Sequence, residues 1–245
     1  MCKKDVKERY LVTGDTHGHF ERIFRYIEQY DLEKNRNTTF IILGDAGINY
    51  YGWALDRELK ELIERYGITF FCIHGNHERR PESIGTYKEK MWNNGKVYVE
   101  DEYPHILFAK DGEIYDIQGM KTLVLGGAYS IDRDYRIALN PHNPMWWRDE
   151  QPSPEIMERV ETKLSQVDWN VDVVLSHTCP RNYEPTEAYL EGIDQNFIDK
   201  TTENWLQDIE SKLTYEYWYA GHWHIEKKIE KMEFMYKNIH EFKVF

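Results

Sequence analysis

The sequence predicts an α/β fold in a single domain over residues 1–245, and three observations lead there. Apolar runs of strand length alternate with segments of helical periodicity through the first third. The alternation returns in the last third, after a less regular middle. Five of the apolar runs end in short polar motifs rich in Asp, Asn and His.

In chain order, Tyr10-Leu11-Val12-Thr13 reads as a short strand, and Phe20, Ile23, Phe24 and Ile27 follow at helical spacing. Thr39 to Leu43 is a continuous β-rich run of the kind buried on both faces. Leu55, Leu59, Leu62, Ile63 and Tyr66 mark a second helix, closed by Gly67, and Asp56 to Glu64 supply its solvated face. Ile68 to Ile73 completes a βαβαβ unit, which implies a parallel sheet. In the middle, Ile106–Ala109 and Ile114–Ile117 flank Asp111-Gly112 and predict a two-residue hairpin. Thr122 to Leu125 is a further strand, and a Pro- and aromatic-rich loop follows from about Arg136 to Pro152. Ser153-Pro154-Glu155 starts a helix whose face carries Ile156, Val160, Leu164 and Val167. Val171 to Leu175 is a buried strand, Trp205, Ile209 and Leu213 mark a helix, and Tyr215 to Ala220 is a strand. The tail from Ile225 to Phe245 alternates enough for two more strands.

The charge count, 31 basic against 43 acidic side chains, gives −12 with neutral histidines. No Lys/Arg stripe marks a general nucleic-acid surface. Cys2, Cys72 and Cys179 are three in number and lack a CxxC spacing, which excludes a disulfide framework and a structural zinc site; Cys72 belongs to an apolar core run. The start, Met1-Cys2-Lys3-Lys4-Asp5, leads into a strand without the apolar stretch of a secretory signal. No run approaches the ~18 apolar residues of a membrane span. The expected location is cytoplasmic, with no membrane partner.

The five motifs are Asp15-Thr16-His17, Gly44-Asp45, Gly75-Asn76-His77-Glu78, Ser176-His177 and Gly221-His222-Trp223-His224. They hold five of the ten histidines. Placed at strand ends, they converge on one edge of an α/β sheet, where ligands gather. Two carboxylates, an amide oxygen and several imidazoles exceed what one metal uses. This mixed N/O set favours Mn²⁺, Fe or Zn²⁺ over Mg²⁺ or Ca²⁺.

The ordered set DxH, GD, GNHE, SH and GHxH resembles the calcineurin-like metallophosphoesterase family over nearly the whole chain. The resemblance implies an α/β (α+β) architecture: a β-sandwich flanked by helices, with an elaborated middle segment forming a cap or loop at about 130–155. It implies two divalent ions, manganese foremost and iron or zinc as alternatives. Asp15, His17 and His224 would hold the first ion, Asn76, His177 and His222 the second, and Asp45 both. It further implies hydrolysis of a phosphomonoester or phosphodiester by a hydroxide shared between the ions, with His77 as general acid or steadying the transition state, and Glu78 orienting its neighbours. One feature departs from the Ser/Thr phosphatase branch. Where that branch reads GDxxDRG, this chain has Gly44-Asp45-Ala46-Gly47-Ile48-Asn49, without the Asp that pairs with the catalytic His. The expected partner is a phosphorylated small molecule or nucleotide.

Arg79, Arg80, Arg133 and Arg136 are the candidate phosphate contacts, Arg133 foremost, and His19 is a further substrate contact. His74, His105, His142 and His240 match no motif, and Trp146-Trp147 reads as loop packing before a stacking platform. A metal-binding scaffold of the same fold that had lost its chemistry is the competing function. A mononuclear zinc hydrolase leaves too many histidines unexplained.

Overall fold

The structure, a computed structural model, describes residues 8–32 and 37–245. The expected lead-in from Met1 to Asp5, with Cys2, lies outside the described residues. Strands β1 (Arg9–Thr13), β2 (Thr38–Ile42) and β3 (Thr69–Cys72) alternate with helices α1 (Glu21–Gln29) and α2 (Trp53–Glu64). Then come β4 (Tyr87–Trp92), β5 (Gly95–Glu100), β6 (Tyr103–Ala109), β7 (Ile114–Ile117), β8 (Met120–Leu125) and α3 (Arg133–Leu139). The chain continues through α4 (Pro154–Gln166), β9 (Val173–Ser176), α5 (Thr201–Glu210) and β10 (Tyr217–Ala220). It ends in β11 (Lys227–Ile229), β12 (Met232–Phe234) and β13 (His240–Glu241).

These strands form a seven-stranded sheet, β13-β1-β2-β3-β6-β5-β4, and a six-stranded sheet, β11-β12-β10-β9-β8-β7. In the first, β1, β2, β3 and β6 are parallel. In the second, β8, β9, β10 and β12 are parallel. The side-chain period of two sends alternate residues of each strand to opposite faces. Tyr10, Val12, Ile41 and Phe71 of one sheet meet Val173, Leu175, Tyr217 and Tyr219 of the other in a shared core. Leu11, Phe40, Ile42, Phe70 and Cys72 face outward onto Phe20, Ile23, Ile27 and Ile63. Leu123, Leu125, Val174 and Trp218 face outward onto Val160, Leu164, Trp205, Leu206 and Ile209. The result is helix, sheet, sheet, helix, the mixed α/β sandwich with flanking helices that the motifs imply. No helix among the described residues is long and apolar enough to cross a membrane.

Several local expectations are corrected. The Asp111-Gly112 hairpin does not form: β6 pairs with β3 and β5, whereas β7 pairs with β8 in the other sheet. Asp111 is buried, accepts the Gly126 N–H (2.7 Å) and pairs with Arg80 (2.7 Å), so the turn links two layers and does not close a ribbon. Two-residue hairpins fall instead at Asn93-Asn94 (β4–β5), Asp101-Glu102 (β5–β6), Gln118-Gly119 (β7–β8) and Glu230-Lys231 (β11–β12), with positive φ at Asn93, Asn94, Gln118, Gly119 and Glu230. In α2 the buried stripe is Asp56, Lys60 and Ile63, while Leu55 and Leu62 are exposed. Asp56 accepts the Tyr51 and Gly52 N–H groups (both 2.8 Å), and Lys60 pairs with Glu100 (2.5 Å) between the rings of Tyr87 and Tyr103. Satisfied charges fill positions that an apolar count assigns to leucine. Helix α3 lies partly within the expected loop. The tail makes three short strands, and β13 crosses back to pair with β1.

Phe71 is fully buried in the shared core, against Trp92 (4.7 Å between ring centres) and Tyr115 (4.9 Å). Phe71→Ala is expected to lower stability by ~3–5 kcal/mol, read as a reduced denaturant midpoint at unchanged slope.

Candidate metal centre

The parallel strands of both sheets deliver their carboxyl ends to one edge. Asp15 and His17 follow β1, Asp45 follows β2, and Asn76 and His77 follow β3. His177 follows β9, and His222 and His224 follow β10. Asp15, Asp45, Asn76 and His177 are buried, and the two sheets meet through them.

The donor atoms fall into contiguous groups. Ligand atoms of Asp15, His17 and His224 lie within 4.8 Å of one another, as do those of Asp15, Asp45 and His177. His224 Nε2 is 3.1 Å from Asp15 Oδ2 and 3.0 Å from His17 Nε2. His177 Nδ1 donates to the Leu43 carbonyl (2.8 Å), which can only accept. Nε2 of that ring is then aimed at Asn76 Oδ1 (2.8 Å) and Asp45 Oδ2 (3.6 Å). The Asn76 amide donates to Ser130 Oγ (2.9 Å), which fixes Oδ1 inward, where it also meets His222 Nδ1 (3.1 Å). Lone pairs therefore converge in a buried space. Divalent cations satisfy such an arrangement, and the N/O donor set fits them.

The backbone is built around these contacts. His17, Asp45, His222 and His224 all adopt positive φ (48°, 46°, 65° and 50°), a conformation that is uncommon outside glycine and clusters at functional sites. A Cβ on Gly44 would lie 2.0 Å from His177 Nδ1, and one on Gly75 would lie 2.0 Å from Asp45 Oδ1. The glycines of these motifs are where ligand side chains rest on bare backbone. Asp45 Oδ1 accepts the His77 N–H (2.7 Å), and the Asp45 carbonyl accepts the N–H groups of Thr16 (3.2 Å) and His17 (2.7 Å). Arg22 of α1 donates to the carbonyls of Gly14 (3.1 Å), Asp15 (3.2 Å) and Tyr236 (2.9 Å), pinning the loop after β1.

Electrostatics follow from burial and neighbours. Burial alone would raise the Asp15 pKa, but the hydrogen bond to His224 and the charges of His177, His224 and His17 hold it well below the usual carboxylate range. The bond to Asp15 raises His224. Burial, and then His177, push His222 far down. Burial also lowers His77; the Arg136 cation adds to that, while Asp45 opposes it. Glu78, fully buried, accepts the Gly75 N–H (3.0 Å), and burial with the Asp45 charge pushes it up to about 8.

A cavity of about 580 Å³ opens from this cluster. His17, Asp45, Asn76, His77, His222 and His224 floor it, and its outer wall includes Tyr129, Ile131, Tyr189, Leu190, Lys200 and Trp223. His19 is exposed and does not line it. Neither does Arg133, which donates to Asp134 (2.9 Å) and lies over Tyr129 and Trp146. Arg80 is committed to Asp111 and to the Asp149 carbonyl (2.6 Å). Trp147 packs edge-on against Tyr50. Sequence reading missed Lys200, Tyr50, Ser130 and Arg22. Lys200 pairs with Glu184 (3.1 Å) and lies over the rings of Tyr189 and Trp223, in a stretch with no motif to mark it.

This fold and donor set define an α/β sandwich with candidate ligands for divalent metal at its strand ends, and the family match agrees. The chain matches the calcineurin-like phosphoesterase family over residues 8–226 and belongs to that family, whose members normally bind divalent metals. No curated protein sequence matches. Among solved structures, TT1561 of Thermus thermophilus is similar at 11% identity and a TM-score of 0.48, covering 96% of this chain and 98% of that one. A protein of unknown function, AQ665 from Aquifex aeolicus, is similar at 15% identity and a TM-score of 0.35, covering 73% and 82%.

A metal ion held by His224 would have to displace any proton there, and the hydrogen bond to Asp15 raises that imidazole above its ordinary value. Mn²⁺ affinity measured by calorimetry is therefore expected to weaken as pH falls from 8 to 6, by up to about tenfold per unit for one displaced proton. Affinity independent of pH over that range would contradict the assignment of His224 as a ligand.

Proposed function

We propose that the protein is a binuclear metal-dependent phosphoesterase acting on a small phosphorylated molecule or nucleotide. The observation that carries this is the convergence of seven ligand-type side chains from five strand ends, with lone pairs facing one another. Asp15, His17 and His224 would hold one ion, and Asn76, His177 and His222 the other. Asp45, whose Oδ2 faces both His17 (3.9 Å) and His177 (3.6 Å), would serve both. Manganese is the proposed metal, with iron or zinc as alternatives, on the chemistry of the donors. When bound, the ions would neutralise phosphate charge and activate water for in-line attack on phosphorus.

The protein's own groups do the rest. His77 stands at the rim of the donor cluster as the acid or hydrogen-bond donor for the leaving oxygen. Arg136 touches its ring. Lys200, paired with Glu184, brings a cation to the cavity lining. Asp132, Glu187 and Asp199 also line the cavity, which disfavours an extended polyanion. The volume suits a small ligand. Tyr129, Tyr189 and Trp223 offer ring faces to the non-phosphate part of the substrate.

Matched nitrophenyl phosphate monoester and diester, with Mn²⁺-loaded and chelator-treated protein, test the reading. Turnover of one ester that is lost on chelation is expected, and the preferred ester assigns phosphatase or phosphodiesterase activity. Asp45→Asn is expected to abolish turnover and lower bound metal, measured by elemental analysis. Full metal occupancy with unchanged turnover in that variant would refute the assignment.

A further inference from the structure

The Asp that pairs with the corresponding His in the Ser/Thr phosphatase branch is replaced here by Ile48, which is fully buried in the apolar core. A different group addresses the His77 ring. Arg136 of α3 is largely buried, its side chain 13% exposed, and its guanidinium is held on every side. Nε donates to Asp132 (2.6 Å), and Nη1 donates to the Tyr50 hydroxyl (3.0 Å) and the Met145 carbonyl (2.8 Å). Nη2 points at His77 Nδ1, with Nε2 farther away at 3.4 Å. The Tyr50 ring stacks on His77 at 6.4 Å and receives the Arg136 guanidinium over its face at 5.7 Å. His17 meets the His77 ring edge-on at 5.3 Å.

We propose that Arg136 is the positioning residue of His77, holding Nδ1 as an acceptor so that the ring N–H sits on Nε2. A guanidinium carries five N–H donors and no acceptor. Its contact with Nδ1 therefore uses the imidazole lone pair. An Asp in that place would do the reverse, accepting from Nδ1–H and leaving Nε2 bare or stabilising the imidazolium. The tautomer follows from geometry alone; its chemical consequence rests on the phosphoesterase reading. His77 then donates a hydrogen bond from Nε2–H to a phosphoryl or leaving oxygen and keeps its own proton. When the P–O bond breaks, the bonding pair stays on the leaving oxygen, which takes its proton from water. This narrows the role of His77 from proton donor to fixed hydrogen-bond donor, a role in which a neutral imidazole is effective.

Long-range ¹H–¹⁵N spectra of metal-free protein, with His77 assigned through His77→Gln, read the tautomer directly. The expected result is a bare Nδ1 and a protonated Nε2 in the unmodified protein, and loss of that preference in Arg136→Ala. Nδ1–H in the unmodified protein, or an unchanged pattern in Arg136→Ala, would overturn the proposal. Arg136→Met is the second variant should the alanine protein not fold. Its side chain keeps comparable length but has no N–H to donate, so the tautomer preference is expected to be lost as well. In the Mn²⁺-loaded protein, Arg136→Ala is expected to lower kcat ~10–100-fold with KM changed less than about twofold, with partial rescue by added guanidinium ion. A loss confined to KM, or no rescue, would remove the catalytic consequence. The spectra need no turnover, so failure of the phosphoesterase reading and failure of this one are separately visible.

Discussion

Asp45 takes part in the structure through its main chain and its carboxylate together, and the rest of the centre is arranged around that. Its carbonyl holds the loop after β1 through the N–H groups of Thr16 and His17. Its Oδ1 holds the turn after β3 through the His77 N–H (2.7 Å), and its Oδ2 faces His17 and His177 from opposite sheets. These bonds require a backbone with φ of 46° and a bare Gly75 against the carboxylate. A residue so placed links three loops and both sheets. Its removal would disturb geometry as well as charge.

That arrangement has a physical cost, carried by the surrounding fold. Four ligand candidates occupy the left-handed region, at about 1–3 kcal/mol each. Carboxylates and imidazoles are buried with their lone pairs opposed, which disfavours the metal-free state. The central core of Val12, Ile41, Phe71, Val173 and Leu175, packed between two sheets, holds the strand ends in register against this strain. Arg22 clamps carbonyls that would otherwise be free to relax, and Glu78 ties the Gly75 turn to its neighbours. A cation bound there would relieve the opposition of lone pairs, which would couple occupancy to stability.

Around the candidate ligands, the cavity wall comes from segments with no motif, Trp223 excepted. The Tyr129–Asp132 stretch supplies one part of it, and Arg136 of the following α3 reaches His77 from outside the lining. Residues 187–200 and Trp223 supply another. These elements shape the cavity and hold His77, whereas the strand ends bring the candidate ligands together.

That the candidate ligands gather at one edge was legible in the sequence because each adjoins a strand end, and strand ends are marked by local apolar runs with Gly, Asp and His beside them. The βαβαβ opening and the Ser153-Pro154 helix start were legible for the same reason, since local periodicity and capping are properties of neighbouring residues. The partition into two sheets was not, because Asp111-Gly112 has the chemistry of a hairpin turn whichever sheet its flanking strands join. The inner face of α2 was misread because Asp56 and Lys60 are buried with partners at Tyr51, Gly52 and Glu100. Arg136 was one of four candidate arginines by sequence, and Lys200 was not among the candidates. By itself the sequence determined which Asp, Asn and His residues stand at strand ends and in what order they arrive at the edge of the sheets. Only the tertiary structure decided which cation meets His77 and which lines the cavity, because those contacts join residues tens of positions apart through side-chain directions that no local pattern encodes.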